Sequence, residues 1–375
     1  MSFRHCLRKE STRLKIKLGI RLIFHFKCLK RQECLAKKNA NWYFFSMKTT
    51  PIDFQWPTQE PFLFCVHHYD YYPRGNQNLG LDGHHFGGRN MGQDFEIKDG
   101  FRLYHGREIP GFPVHPHRGF ETITIVRKGY VDHADSLGAA GRYGEGDVQW
   151  MTAGAGVQHS EMFPLLHQDR ENTLELFQIW LNLPRKSKMV PADFKMLWAN
   201  QIPKIEKEGI EVSLICGNYD NQSYYQAPQN SWASDLNNEV QILLVKMKAG
   251  TTFNYSESKN ATNRSLYFFV ADKFKVNNEV ISGKQALFLN SKESLMVQSL
   301  EEEIEFLILE ACPIGEPVFQ HGPFVMNTRE EIVQTFNDYQ KTQFGGWPWS
   351  RSDMIHGEKI ERFAKYPNGK IEKPD

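Results

Sequence analysis

Residues 111–128 read GFPVHPHRGFETITIVRK and residues 144–162 read GEGDVQWMTAGAGVQHSEM. In a β-strand successive side chains point to opposite faces, so residues two apart share one. His115 and His117 therefore face the same way, and so do His159 and Glu161. Lys128-Gly129 turns the chain after the first strand. Gly144-Glu145-Gly146-Asp147 leads into Val148 to Thr152, and Gly154 and Gly156 permit a sharp turn before His159. Two such pairs on neighbouring strands of a small barrel converge inside it. They would offer three imidazole nitrogens and one carboxylate oxygen, a donor set that suits Fe(II), Mn, Ni, Cu, Co or Zn and does not suit Ca(II). Four ligands on two strands leave coordination positions open toward the barrel mouth, as a catalytic metal requires. A lone H-x-H is more often a surface or hydrogen-bonded core feature. Two period-two pairs within fifty residues favour a metal on His115, His117, His159 and Glu161.

Working outward, the chain from residue 62 onward alternates short β-branched or aromatic runs with Gly, Asn and Asp turns. Examples are Leu174 to Leu183, Val240 to Met247 and Leu266 to Ala271. Strands this short and frequent predict an all-β protein of barrels or sandwiches. The 375 residues suffice for two cores. Pro184, Pro191 and Pro203 interrupt the pattern, and Pro184 to Gly209 reads as an irregular or short-helical connector. Near the end, Thr328 can cap a helix with Glu331 three residues on, and Ile332, Val333, Phe336 and Tyr339 fall at helical spacing. The last thirty residues read as loosely packed. The expected layout is a basic extension over 1–46 that is disordered or not native, a metal-binding barrel over 47–185, a connector over 186–230, a metal-free barrel over 231–315, and a helix and tail over 316–375.

The stretch Phe112 to Met162 closely resembles the signature of pirins, a branch of the cupin superfamily, through HPHRGFET, GDVQWMTAG and HSEM. The resemblance extends to LFQIWLNLP (176–184) and more weakly to GPFVMNTREEI (322–332). It implies a bicupin fold of two jelly-roll-type barrels, with iron held in the first by His115, His117, His159 and Glu161. It further implies quercetin (flavonol) 2,3-dioxygenase activity, in which an open metal site takes a flavonol-like substrate together with O₂ and Glu161 serves as ligand and base. The other implied reading is a non-enzymatic, iron-dependent redox-sensing regulator that binds a partner protein.

Several side chains near the motif are less decided. Glu121 lies an even number of residues from His115 and His117 and would share their face on a regular strand, where it could orient a ligand imidazole. Gln149, Trp150 and Met151 read as pocket lining or core. His133 and Asp132 are not expected as ligands. The adjacent pairs His67-His68 and His84-His85 diverge on a strand and are poor metal motifs. After His167 only His321 and His356 remain, outside any such pair. Thr252-Phe253-Asn254-Tyr255 stands where a ligand pair would fall, so the second barrel is expected to bind no metal. A sugar-phosphate isomerase would need a cationic clamp near the metal, for which only Arg118 and Arg127 stand near.

Charge narrows the partners. Residues 1–46 carry 12 Lys/Arg against 2 Asp/Glu, and the remainder carries 33 against 42. The folded body is thus acidic, which disfavours direct nucleic-acid binding. Cys6, Cys28 and Cys34 sit in the basic stretch, while Cys65, Cys216 and Cys312 are isolated and read as small buried hydrophobes. No CxxC occurs, which fits a reducing, cytoplasmic setting better than secretion. The longest apolar run, Leu18 to Phe26, is broken by Arg21 and His25, so no membrane span is expected. Met47 reads as the natural start, and the expected assembly is a monomer of two packed barrels.

Overall fold

Alternation in the first half builds the barrel that carries the histidines. The computed structural model describes residues 47–375, so the basic stretch with Cys6, Cys28 and Cys34 lies outside the described residues. Nine strands form the first barrel: β1 (Phe62–Tyr72), β2 (Gly111–His117), β3 (Phe120–Lys128), β4 (Tyr130–Asp135), β5 (Ala140–Gly144), β6 (Val148–Thr152), β7 (Val157–Met162), β8 (Asn172–Asn182) and β9 (Asp193–Leu197). One wall has the order β9-β6-β3-β8-β1 and ends on the short strand Gln55–Trp56. The facing wall has the order β5-β4-β7-β2. All pairings between named strands are antiparallel.

The ETITIV run shows why this wall is buried on both sides. Ile123 and Ile125 join a core shared with the second barrel, together with Ile179, Tyr267 and Leu307. Val126 points the other way, into the first barrel's own interior with Leu176 and Phe163. A strand covered on both faces carries apolar or β-branched residues at nearly every position. The second barrel pairs an eight-stranded sheet with a four-stranded one, and its interior is a third apolar cluster that includes Phe253, Phe268 and Phe306. One α-helix, α1 (Arg329–Thr342), follows, with Thr328 and Glu331 forming a full capping box. The molecule is therefore an all-β bicupin with a C-terminal helix, as the sequence implies.

Three stretches depart from expectation. The connector expected over 186–230 carries strands: β9 joins the first barrel, while Lys204–Lys207, Ile210–Tyr219 and Gln222–Tyr224 join the second barrel's sheet. Its prolines stand just outside these strands, where their missing N–H costs no ladder bond. The tail expected to pack loosely instead crosses the histidine-bearing wall. Val114 N donates to Ser352 O, Trp349 Nε1 to the Asp135 carbonyl, and Phe363–Lys365 pairs with the open edge of β5. An uncovered edge strand offers a row of unpaired backbone groups, and here the tail fills it. At the other end, Lys48–Pro51 pairs with Gln285–Asn290 of the second barrel, across the boundary drawn from sequence. Cys65 and Cys216 are buried in the shared core as expected, and Cys312 is half-buried.

Candidate metal centre

Strands β2 and β7 run antiparallel with His115 opposite His159 and His117 opposite Val157. A register shift between Phe112 and His115 inserts one extra residue on β2, so that Phe112 stands opposite Glu161. The three imidazoles meet inside the barrel. Their ring centroids are 4.5 Å apart for His115 and His159, 4.9 Å for His117 and His159, and 4.8 Å for His115 and His117. One nitrogen from each lies within 4.8 Å of the others. Glu161 Oε2 approaches His159 Nε2 at 3.7 Å.

The hydrogen bonds around the rings decide which nitrogens are free. His115 Nδ1 lies 2.9 Å from the Pro113 carbonyl, so it carries the proton and leaves Nε2 as the free donor. The His117 ring is hydrogen-bonded to the Pro323 carbonyl, while its Nδ1 meets no partner. Both nitrogens of His159 are buried without a partner. Orphaned buried nitrogens are costly, and a cation at the point they surround would satisfy them. Burial also holds all three imidazoles neutral: it lowers His115 to about 4 and His117 and His159 well below their ordinary value. Their lone pairs are therefore available at neutral pH without competition from protons. The residues present fit a divalent metal.

Glu161 is buried and its pKa is raised by that burial. Thr124 Oγ1 donates to its Oε1 at 3.1 Å, which turns Oε2 toward the imidazoles. The amide of Gln178 lies 2.8 Å from the same hydroxyl.

The structure also places two residues left outside the ligand set, His133 and Glu121. His133, not expected as a ligand, lies outside the three-histidine cluster and faces it from β4. It stands opposite Glu161, its ring lies 5.5 Å from that of His159, and its Nε2 is 3.4 Å from Asp135 Oδ2. Its period-two spacing from Asp135 was the available signal. Glu121 turns away from the histidines. Gly119 sits at φ +84° in the turn between β2 and β3, where an added Cβ would meet the Val325 carbonyl at 1.9 Å. The strand is thus not continuous from His117 to Glu121, and face parity does not carry across. Glu121 accepts instead from Thr152 Oγ1 at 2.7 Å and from Ser231 Oγ of the second barrel at 2.6 Å. On β6, Gln149 takes a 3.4 Å hydrogen bond from Tyr143, Met151 joins the barrel interior and Trp150 the shared core.

His67, His68, Arg118 and Arg127 are engaged elsewhere. His67 meets Glu175 at 3.2 Å and His68 meets Tyr104 at 2.7 Å. Arg118 donates to Asp338 of α1 at 2.7 Å, and Arg127 is clasped by Glu175 and Glu305. The two candidate phosphate-binding cations are therefore already neutralised.

Known proteins are similar to this chain in sequence and in fold. Residues 75–181 match the pirin family profile, and residues 242–345 match that of the pirin C-terminal cupin domain. A pirin-like protein of Caulobacter vibrioides is 35% identical over 237 residues, covering 63% of this chain and 81% of that protein. Pirin-1 of Arabidopsis thaliana is 36% identical over 243 residues, covering 63% of this chain and 78% of its own length. The chain belongs to the pirin family. Among solved structures, a quercetin 2,3-dioxygenase from Acinetobacter baumannii aligns with this pirin at a TM-score of 0.62 and 29% identity, covering 79% of this chain and 88% of that one. The matched regions include both barrels of this pirin, whereas the tail after residue 345 lies beyond them. Among the described residues no helix is long and apolar enough to cross a membrane.

Proposed function

We propose that this pirin is a metal-dependent oxygenase acting on a flavonol-type phenol, with iron(II) held by His115, His117, His159 and Glu161. The observation that carries the proposal is the set of neutral imidazoles, two buried and one half-buried, whose free nitrogens converge beside a buried carboxylate. The solved quercetin 2,3-dioxygenase that aligns over both barrels supports the choice of substrate class. When bound, the metal supplies a Lewis acid for a phenolic oxygen and a redox centre for O₂.

The chain's own residues supply the rest. The three imidazoles stay neutral because burial opposes their charging, so they need shed no proton to act as ligands. Glu161, raised by the same burial, is basic enough to accept the proton of the flavonol 3-hydroxyl at Oε2. Thr124 holds Oε1 and so keeps Oε2 directed at the substrate side. His133, beside Glu161, is the further imidazole positioned to steady that carboxylate.

The test is an anaerobic titration of iron-loaded protein with quercetin, followed by admission of oxygen. Carbon monoxide released in proportion to quercetin consumed is the expected result. Absence of turnover after loading with Fe, Mn, Co, Ni or Cu would overturn the enzymatic reading.

A further inference from the structure

Burial varies along the inward faces of the first barrel. On β8 the even-numbered side chains point inward: Leu174 and Leu176 belong to the barrel interior, and Gln178 reaches Thr124. Leu174 and Leu176 are fully buried, whereas Gln178 and Trp180 are only half-buried. The same gradient appears on β1, where Phe64, directly opposite Trp180, is half-buried and Val66, His68 and Asp70 are buried. On the facing wall, Phe112 and His115 are half-buried while His117, His159 and Glu161 are buried. Partly open inward residues thus stand on both walls beside the histidines, Gln178 and Trp180 on one and Phe112 and His115 on the other.

Among them Trp180 presents the largest side chain. Its ring is backed by Phe64 at 4.9 Å and Phe120 at 4.4 Å, and it meets the His117 ring at 5.5 Å. The indole is therefore held from several sides by rings and still partly open. A lone exposed aromatic needs no explanation. An inward-facing tryptophan, held by other rings next to a metal-ligand imidazole and left partly open, is the kind of rigid apolar wall that binds a flat ligand.

The geometry points to Trp180 as the specificity-determining wall of the site, a stacking face that admits planar aromatic substrates and orients them edge-on to the three histidines. This rests on the reading of the centre as a flavonol site, and it adds the residue that selects for flatness. Because stacking on an indole does not require chelation, the wall binds a planar flavone even when no metal is present.

The experiment separates stacking from metal binding. Luteolin, which lacks the 3-hydroxyl of quercetin, is titrated into chelator-treated and iron-loaded protein and followed by calorimetry. Wild-type protein binds luteolin with similar affinity in both states. Trp180→Ala weakens luteolin and quercetin binding alike, by about tenfold for one lost aromatic contact, while Trp180→Phe stays within about threefold of wild type. Metal content and unfolding midpoint are measured for each variant; should Trp180→Ala fail to fold, Trp180→Leu, which keeps apolar bulk without a π-face, takes its place with the same expected loss. Unchanged luteolin affinity in the folded variant, or no luteolin binding by wild type, overturns the assignment of Trp180. Failure of quercetin turnover in wild type, with luteolin binding intact, would instead strike the oxygenase proposal and leave the stacking wall standing.

Discussion

The two barrels share an architecture and fill it in opposite ways. In the second, Phe268 stacks on Phe274 at 3.9 Å and packs on Phe306 at 4.7 Å, and Phe306 meets Phe253 at 5.5 Å. That interior is a solid aromatic core. In the first barrel the wall of β2, β4 and β7 directs four imidazoles and a carboxylate inward, with Thr124, Gln149 and Gln178 facing them. Each buried polar atom left without a partner costs about 1–3 kcal/mol, so the first barrel sacrifices packing stability for its site. The second barrel offsets part of this by lending a packed surface. It shares the core around Ile123 and Ile125, and its Glu305 clasps Arg127. The hairpin that follows it brings the Pro323 carbonyl to His117. A duplicated fold can thus divide the labour, one copy filled for stability and the other kept polar for chemistry.

The largest effect that could break this comparison is loss of the metal. His159 is fully buried, both its nitrogens lack partners, and it is the ring nearest Glu161. Residues that merely support metal ligands already cost about 10–100-fold in affinity when removed. His159→Ala should therefore weaken iron binding by more than about 100-fold, read by competition with a colorimetric chelator, with little change in the unfolding midpoint of the metal-free protein. Unchanged iron affinity would mean the polar interior serves something other than a metal.

The complementary change targets the filled barrel. Phe268 is fully buried among three other phenylalanines. Phe268→Ala should destabilise the protein by about 3–5 kcal/mol through lost burial and a residual cavity, measured by urea unfolding, while iron content per folded chain stays at the wild-type value. A drop in iron content as large as the drop in stability would show that the two interiors are not independent.

How much of this was legible follows from how local each signal is. The pairs His115-x-His117 and His159-x-Glu161 could be read because strand alternation fixes a shared face within three residues. The helix could be read because Thr328 and Glu331 cap it locally. That His133 faces the cluster without joining it depends on which residue of β7 lies opposite it, a register that alternation alone does not supply. The face of Glu121 hung on whether the strand stays regular, and Gly119 interrupts it so that parity resets there. The strand at Phe363–Lys365 and the strand at Lys48–Pro51 pair with partners more than two hundred residues away, and no short-range pattern reports such pairings. Trp180 lies inside a stretch whose family resemblance was visible, but only the burial gradient along β8 distinguishes it from ordinary core.

The smallest effect lies where the barrels touch, and it is a pH effect. Glu121 is fully buried, accepts hydrogen bonds from Thr152 of the first barrel and Ser231 of the second, and is pushed up to about 7 by burial. In the unfolded chain the same carboxyl titrates near its ordinary value of 4.5. Between those values the folded protein keeps a proton that the unfolded chain has released. Stability from this group is therefore fully present below about pH 4.5 and is lost as pH rises through about 7, by up to about 3 kcal/mol. Glutamine cannot ionise, so Glu121→Gln should flatten that decline. At pH 5 the variant should lie at or about 1 kcal/mol below wild type, because its amide N–H₂ faces two hydroxyl donors. At pH 8 it should be more stable than wild type by about 2 kcal/mol. Urea unfolding at the two pH values reads the difference. If the variant declines between pH 5 and pH 8 as steeply as wild type, the carboxylate at the junction is not what makes the contact between the filled barrel and the polar one sensitive to pH.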